Sequence, residues 1–250
     1  MTSRRSISYL KAILYLSLLL FILVPAFMYF SHDVAKLNSL YPHLHRNKMD
    51  VRVELNQNKP KNWTELKKMS KFARWSIILS EDWSFYDHEG IDLDQIKVAL
   101  NEMVEDKKFR GASTITQQMV KNVFLSDERT LWRKVHEGIL TYKVEKDLSK
   151  NKILEIYLNV IEFGPGIYGI KEAARHYFKK HPSEITPREG AFLAMLLPSP
   201  KRYYVSFRKK ELTRFARARV RAILEKMRMG KVITPEQYIL EIQSQFSWEK

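Results

Sequence analysis

Trp75-Ser76-Ile77-Ile78-Leu79-Ser80-Glu81-Asp82-Trp83-Ser84-Phe85-Tyr86-Asp87-His88-Glu89-Gly90 joins an apolar run to a turn crowded with acids, aromatic rings and a histidine. Upstream, Trp63, Leu66, Met69, Phe72, Ala73 and Ile77 recur at three- and four-residue steps, the period of a helix with one buried face. This pattern predicts a helix from Trp63 that ends at Glu81. The Glu81 carboxylate then emerges at the edge of a core, where partial desolvation raises its proton affinity and suits it to general-base work. Asp82 and His88 read as ordinary polar groups, His88 as a hydrogen-bonding brace.

The same period continues on either side. Helices are expected over 93–105, over 114–124 with Ser113 as cap, over 129–148 and over 150–161. Phe163-Gly164-Pro165-Gly166-Ile167-Tyr168-Gly169 breaks the run as a loop. Helical patterns resume over 170–178, over 186–197 and through the C-terminal tail. Only Val51-Arg52-Val53-Glu54-Leu55 alternates as a strand does, inside a polar stretch, 31–62, punctuated by Pro42 and Pro60. That stretch reads as a membrane-proximal linker, and the domain over 63–250 as mainly α.

Residues 12–30 contain no charge and are rich in Leu, Ile, Phe and Tyr. As a helix these nineteen residues reach roughly 28 Å, the thickness of bilayer hydrocarbon. Pro25 inside the stretch is tolerated in membrane helices. Arg4, Arg5 and Lys11 precede it, so residues 1–11 are expected to stay on the cytoplasmic side of an uncleaved single-pass anchor. A cleaved signal peptide would have a shorter apolar region and a small-residue cleavage site. The remaining residues then lie outside the cytoplasmic (inner) membrane, a length for one sizeable domain or at most two small ones. With no cysteine in the chain, disulfides and thiolate metal sites are excluded.

The formal net charge of +15 is unevenly distributed. Between residues 201 and 231 there are twelve Lys or Arg against Glu211 and Glu225. Arg214-Phe215-Ala216-Arg217-Ala218-Arg219-Val220-Arg221 reads as a helix with a basic face. An anchored, external domain makes anionic lipid headgroups and pyrophosphates better partners of such a face than nucleic acid, the alternative being a solvated face with no specific ligand.

A second stretch carries chemistry. Gly111-Ala112-Ser113-Thr114-Ile115-Thr116-Gln117-Gln118 gathers hydroxyls and amides that a core does not need, since each buried one requires a partner. Gln117 and Lys121 are four apart on one helix face, with Ser113 a turn further back. The row offers a hydroxyl, an amide and a cation to one elongated polar ligand. Arg129, Arg133 and Lys134 follow, with Glu137 four after Arg133, a spacing that also fits a surface helix with ion pairs.

Five ordered blocks carry a resemblance: Glu81-Asp-x-x-Phe85-x-x-His88-x-Gly90, Gly111-x-Ser-Thr-Ile-Thr-Gln-Gln118, Arg133-Lys-x-x-Glu137, Lys152-Ile-Leu-Glu-Ile-Tyr-Leu-Asn159 and Ala174-x-x-Tyr177-Phe178. Over residues 63–229 the chain resembles the peptidoglycan glycosyltransferases, the domain shared by monofunctional transglycosylases and class A penicillin-binding proteins. The resemblance implies a lysozyme-like helical fold and polymerisation of lipid II into glycan strands. It implies Glu81 as the base that takes the proton of the acceptor 4-hydroxyl, and Glu137 as a second catalytic glutamate. Ser113, Gln117, Lys121 and Arg129 match positions lining the donor's sugar-phosphate site. Asn122, Arg133 and Tyr177 lie in the same motifs, as substrate-binding candidates. The leaving pyrophosphate needs positive charge more than a strong acid, and direct displacement inverts the anomeric centre.

The chain departs from the family pattern after Phe178, where Lys179-Lys180 replaces Gly-Lys, and at Tyr203-Tyr204-Val205. No Lys-Thr-Gly of a transpeptidase is present, so a monofunctional enzyme is expected. The family implies lipid II, the growing glycan strand, membrane lipids and other cell-wall synthesis proteins as partners. It also implies a divalent cation, Mg or Mn, at the pyrophosphate, although no ligand cluster in the sequence commits to a metal. The competing readings are a silent membrane-anchored scaffold and a lytic murein glycosidase, whose chemistry needs an acid for a poor leaving group.

Overall fold

The helix α1 runs over Thr2–Phe30 in the computed structural model, which describes residues 2–46, 51–104, 113–126, 128 and 130–249. Its described side chains from Ile13 to Leu23 are exposed and almost all apolar. It is long and apolar enough to cross a bilayer, and fits a single-pass anchor.

The stretch after α1, expected as a linker, carries regular structure. A 3-10 turn over Val34–Asn38 buries Val34 and Leu37, and a hairpin follows, β1 (Tyr41–Arg46) pairing antiparallel with β2 (Val51–Asn56). The sequence shows only β2 because β1 contains Pro42 and His43 and does not alternate. A second correction concerns residues 63–70. They are irregular with one 3-10 turn at Leu66–Lys68, and the helix, α2, runs only over Lys71–Glu81 with Ser70 as its cap. The cause lies far along the chain. Glu155 accepts hydrogen bonds from Trp63 Nε1 (3.0 Å) and the Leu66 amide (2.8 Å), while Asn159 bonds both the amide and the carbonyl of Thr64 at 2.8 Å. These partners satisfy the backbone outside a helix, so tertiary contacts override the local period.

The helices α3 (Leu93–Val104), α4 (Ile115–Phe124), α5 (Leu131–Asp147) and α6 (Lys150–Val160) follow. The expected Gly-rich loop forms a small hairpin, β3 (Glu162–Gly164) with β4 (Ile167–Tyr168), before α7 (Ile170–Phe178). Then come α8 (Pro187–Leu196), the short α9 (Pro200–Tyr203) and α10 (Val205–Lys209), α11 (Arg214–Met229) and α12 (Pro235–Gln243). The mainly α architecture is the expected one.

Helix α8 is buried on every side and forms the axis of the domain, as its almost uninterrupted Gly-Ala-Phe-Leu-Ala-Met-Leu run requires. It packs on α2 and α11. Gly190 allows the close approach, since a Cβ there would stand 2.7 Å from the Phe72 carbonyl oxygen. On the other side α4 packs on α5 and α6, and α5 carries the end of α1. Lys143 Nζ donates to the carbonyls of Tyr29 (3.0 Å) and His32 (2.7 Å), satisfying groups left open where α1 ends.

Candidate active site

Glu81 closes α2, and Asp82 beyond it fixes the direction of the chain. The buried Asp82 accepts from the Ile115 amide at 2.9 Å, in the first turn of α4, where a carboxylate is favoured by the helix dipole. Its other oxygen lies 2.8 Å from His88 Nε2. His88 Nδ1 accepts from the Gly90 amide at 3.0 Å, so Nε2 carries the proton and donates to Asp82. Thr114 Oγ1 closes the loop by donating to the Gly90 carbonyl at 2.6 Å. His88 is the brace expected of it. Gly90 has φ +85, and a Cβ there would meet Thr141 at 2.6 Å, so only glycine fits the turn.

Gln118 meets Glu81. Its Nε2 donates to Glu81 Oε2 at 3.0 Å and more weakly to the Ser113 carbonyl at 3.4 Å. Its Oε1 accepts from the Tyr157 hydroxyl at 2.9 Å. Burial holds the Tyr157 phenol protonated, well above its ordinary range, so the hydroxyl is a reliable donor and fixes which end of the Gln118 amide faces the carboxylate. Burial pushes the Glu81 carboxyl up from the usual carboxylate range, opposed by the Gln118 hydrogen bond and by the charges of Arg219 and Lys226 on α11. The basic helix thus acts on the acid through space, while Lys226 Nζ itself donates to the Leu79 carbonyl of α2 at 2.8 Å.

Along α4 the cleft-facing row is Gln118, Lys121 and Asn122, not Gln117 and Lys121. The row borders a cleft of about 350 Å³ whose far wall includes Ile161, Glu162 and Pro198. The N-cap of α4 is Thr114 instead of Ser113, and this moves the frame by one residue. Thr114 and Gln117 form a reciprocal capping box, the Gln117 oxygen accepting from the Thr114 amide at 3.0 Å, and Gln117 is buried. Its side-chain oxygen is committed to the helix end. Asn122 is exposed and donates to the Gln118 carbonyl at 2.8 Å.

A second cluster stands on α5. Glu137 is buried, 3% exposed, and accepts from Arg133 Nη1 at 2.7 Å and from Lys134 Nζ. A surface ion-pair helix is therefore the wrong picture of this block. Lys134 Nζ also lies 3.4 Å from Ser113 Oγ, which links the cluster to the start of α4. The arrangement is a set of cations fixed by one buried carboxylate, next to a hydroxyl. Arg129 lies outside the described residues. Tyr177 is not a cleft residue: it is 2% exposed, donates to the Phe163 carbonyl at 2.8 Å and packs among Phe178, Phe192, Tyr204 and Phe207.

The family model described as Transglycosylase matches residues 48–228. The chain belongs to the transglycosylase family. Among similar proteins, a biosynthetic peptidoglycan transglycosylase of Nitrosomonas eutropha is 44% identical over 142 residues, covering 56% of this chain and 58% of that protein. Proteins with the same description from Aeromonas hydrophila and Shewanella oneidensis are 43% and 44% identical over 144 residues, each covering 58% of this chain and 61% and 62% of theirs. The match therefore spans about three-fifths of these curated relatives.

Within this transglycosylase domain a group that approaches metal-ligand geometry is Asp82, His88 and Asp92, with ligand atoms within 4.8 Å of one another. Each of those atoms already has a partner, since Asp92 accepts from Ser84 Oγ and from the Gln95 amide at 2.8 Å. The group does not fit the divalent cation that the resemblance implies. Two residues of the site, Gln118 and Tyr157, were not singled out from the sequence, and Lys134 was noted only as a neighbour of Arg133. The Thr114-x-x-Gln117 capping-box spacing was the available signal for the first, because it assigns Gln117 to the helix end. Tyr157 and Lys134 stood inside quoted motifs with nothing local to say what they touch.

Proposed function

We propose that this protein polymerises lipid II into glycan strands as a membrane-anchored peptidoglycan glycosyltransferase. The observation that carries the reading is the Glu81 carboxyl, raised by burial and oriented by Gln118, with the cation Lys121 one helical turn from Gln118 on the same cleft edge. A carboxylate with raised proton affinity is a better base at neutral pH than an exposed one. In the transfer, the acceptor 4-oxygen forms a bond to donor C1 and its proton passes to Glu81. The C1–oxygen bond to the pyrophosphate breaks, its electron pair leaves with the lipid pyrophosphate, and the anomeric centre inverts. Lys121 and the Arg133–Lys134 pair supply the positive charge that the leaving group requires. Glu137 orders those cations and Ser113 joins them at the donor.

The anchor reading places the N-terminus in the cytoplasm and the domain on the outer face of the cytoplasmic (inner) membrane, where lipid II is displayed. Membrane lipids, the growing strand and other cell-wall synthesis proteins are then its partners. A raised carboxyl would also suit the general acid of a lytic glycosidase, but the cations of the site match an anionic leaving group.

The test is incubation of the detergent-solubilised protein with labelled lipid II beside Glu81→Gln, with products resolved by length. Lysozyme-sensitive polymer from the unmodified protein alone supports the reading. Lipid II bound but not polymerised points to a silent scaffold, and shortening of preformed glycan points to the glycosidase.

A further inference from the structure

Glu145 and Lys150 stand on either side of the turn between α5 and α6, and neither borders the cleft of Gln118 and Lys121. Lys150 Nζ lies 2.9 and 2.8 Å from the two Glu145 oxygens, and the Glu145 side chain is 7% exposed. Three elements of the site meet at this pair. From α4, Thr116 Oγ1 donates to Glu145, two residues before Gln118. From the loop after Glu81, the Phe85 ring centre lies 4.7 Å from the Lys150 ammonium. In the same loop the Gly90 backbone rests on Glu145, so closely that a Cβ on Gly90 would stand 2.7 Å from Glu145 Cγ. From α6, Lys150 opens the helix that carries Tyr157 two turns later.

An ion pair in that position is a poor source of stability. Withdrawing two charges from water costs about as much as their attraction returns, and apolar residues of similar volume often replace a buried pair without loss. What the pair supplies is direction. The Glu145 carboxylate accepts along its lone pairs, and Thr116 and Lys150 meet it there from two different helices. An apolar contact has no such direction and would let α4 turn against the loop. Asp82 accepts from the Ile115 amide and Glu145 from Thr116, so α4 is held at two consecutive residues. The contact that depends on this register is Gln118 Nε2 to Glu81 Oε2. Gln118 rides on α4, Glu81 opens the loop, and Tyr157, which orients the amide, rides on α6.

We propose that Glu145, joined to Lys150 and Thr116, is a positioning residue for the transfer: it sets α4 and α6 against the loop that follows Glu81, and so fixes the Gln118–Glu81 contact. The proposal rests on the transferase reading for its effect on turnover, whereas its effect on the Glu81 carboxyl is readable without any reaction.

The experiment compares the full chain in detergent with three variants. Thr116→Val removes the hydroxyl and leaves the ion pair in place, Thr116→Ser keeps the hydroxyl, and Glu145→Met/Lys150→Met replaces the pair by apolar side chains. One readout is kcat and KM with labelled lipid II across pH. The other is titration of the Glu81 carboxyl by difference infrared spectroscopy, each protein against its own Glu81→Gln form. Asp82, Tyr157, Arg219 and Lys226, the groups that face Glu81, are the same in all of them. Thr116→Val and the double variant are expected to lose about tenfold or more in kcat with KM within about twofold of wild type. In both, Glu81 is expected to titrate at higher pH, because its ionised form loses the Gln118 hydrogen bond, while Thr116→Ser titrates as wild type. The double variant is expected to melt near wild type. A Glu81 titration unchanged in Thr116→Val, whatever its melting temperature, overturns the proposal and leaves Glu145 a structural partner of Lys150; this variant decides the matter alone if the double variant fails to fold. The expected shift in a protein that makes no polymer refutes the transferase reading and upholds the positioning of Glu81.

Discussion

Gln118 Nε2 lies 3.0 Å from Glu81 Oε2, and the hydroxyl of Tyr157 sits 2.9 Å from the other end of the same amide. One side chain from the wall of α4 therefore orients the acid at the end of α2, and a phenol on α6 holds that side chain in place. The first two predictions follow from this chain of contacts.

Glu81→Gln should lower polymerisation by about 10²- to 10⁴-fold, the contribution of a positioned base, while leaving lipid II binding intact. Its effect on stability has a definite sign. The folded-state carboxyl is raised, so ionising it in the folded protein is unfavourable, and the wild type loses stability as pH rises through that raised value. Glutamine is free of that penalty. Thermal unfolding should show the variant more stable than wild type at neutral pH, with the difference fading near pH 4; a uniform destabilisation would contradict it.

The acid limb of the rate profile should lie above the ordinary carboxylate range, because Glu81 must be ionised to accept a proton. Gln118 stabilises the ionised form, so Gln118→Leu should move that limb to still higher pH. Tyr157→Phe should move it the same way by less, since the amide remains but loses its orientation. Profiles of kcat/KM against pH for the three proteins check this, and coincident limbs would remove Gln118 from the role.

Glu137→Ala should be destabilising, by about 1 to 3 kcal/mol, because it leaves the largely covered Arg133 guanidinium without its carboxylate, while the half-exposed Lys134 can turn to water. Denaturant unfolding gives the number. Simultaneous replacement of Arg133 by Met should recover part of the loss, which a merely surface pair would not do.

Lys121→Ala should weaken apparent affinity for the lipid substrate by about 1.5 to 3 kcal/mol, the range of a charge-assisted contact. A variant that binds lipid II as wild type does would displace Lys121 from the donor site.

Gly190→Ala tests the axis of the fold. Its Cβ would stand 2.7 Å from the Phe72 carbonyl oxygen and 2.9 Å from Ser76 Oγ, so α2 and α8 must separate. A cost of about 1 to 3 kcal/mol is expected, read as a lower melting temperature, with activity falling in parallel because α2 carries Glu81.

Much of this was legible in the residues. Apolar periodicity located the helices, the charge-free run near the N-terminus gave a helix long and apolar enough to cross a bilayer, and the end of an apolar helix gave Glu81 its setting. Ser113, Lys121, Asn122, Arg133 and Glu137 fall at one of the two clusters around it. Gln117 and Tyr177 do not, although both are buried and hydrogen-bonded. Their polarity served a helix cap and a core carbonyl, needs that look the same as ligand binding when only residue type is read.

The sequence by itself determined most of the local order: which segments after residue 70 are helical and which carboxylate stands at a helix end. These follow from contacts within three or four residues. Tertiary packing decided the rest. It unwound residues 63–70 because Glu155 and Asn159 capture their backbone. It selected Gln118 over Gln117 because Tyr157 waits on a neighbouring helix, and it turned one face of α11 to Glu81. Hydrogen bonds and charges act between groups that meet in space, and only the packing of helices far apart in the chain brings those groups together.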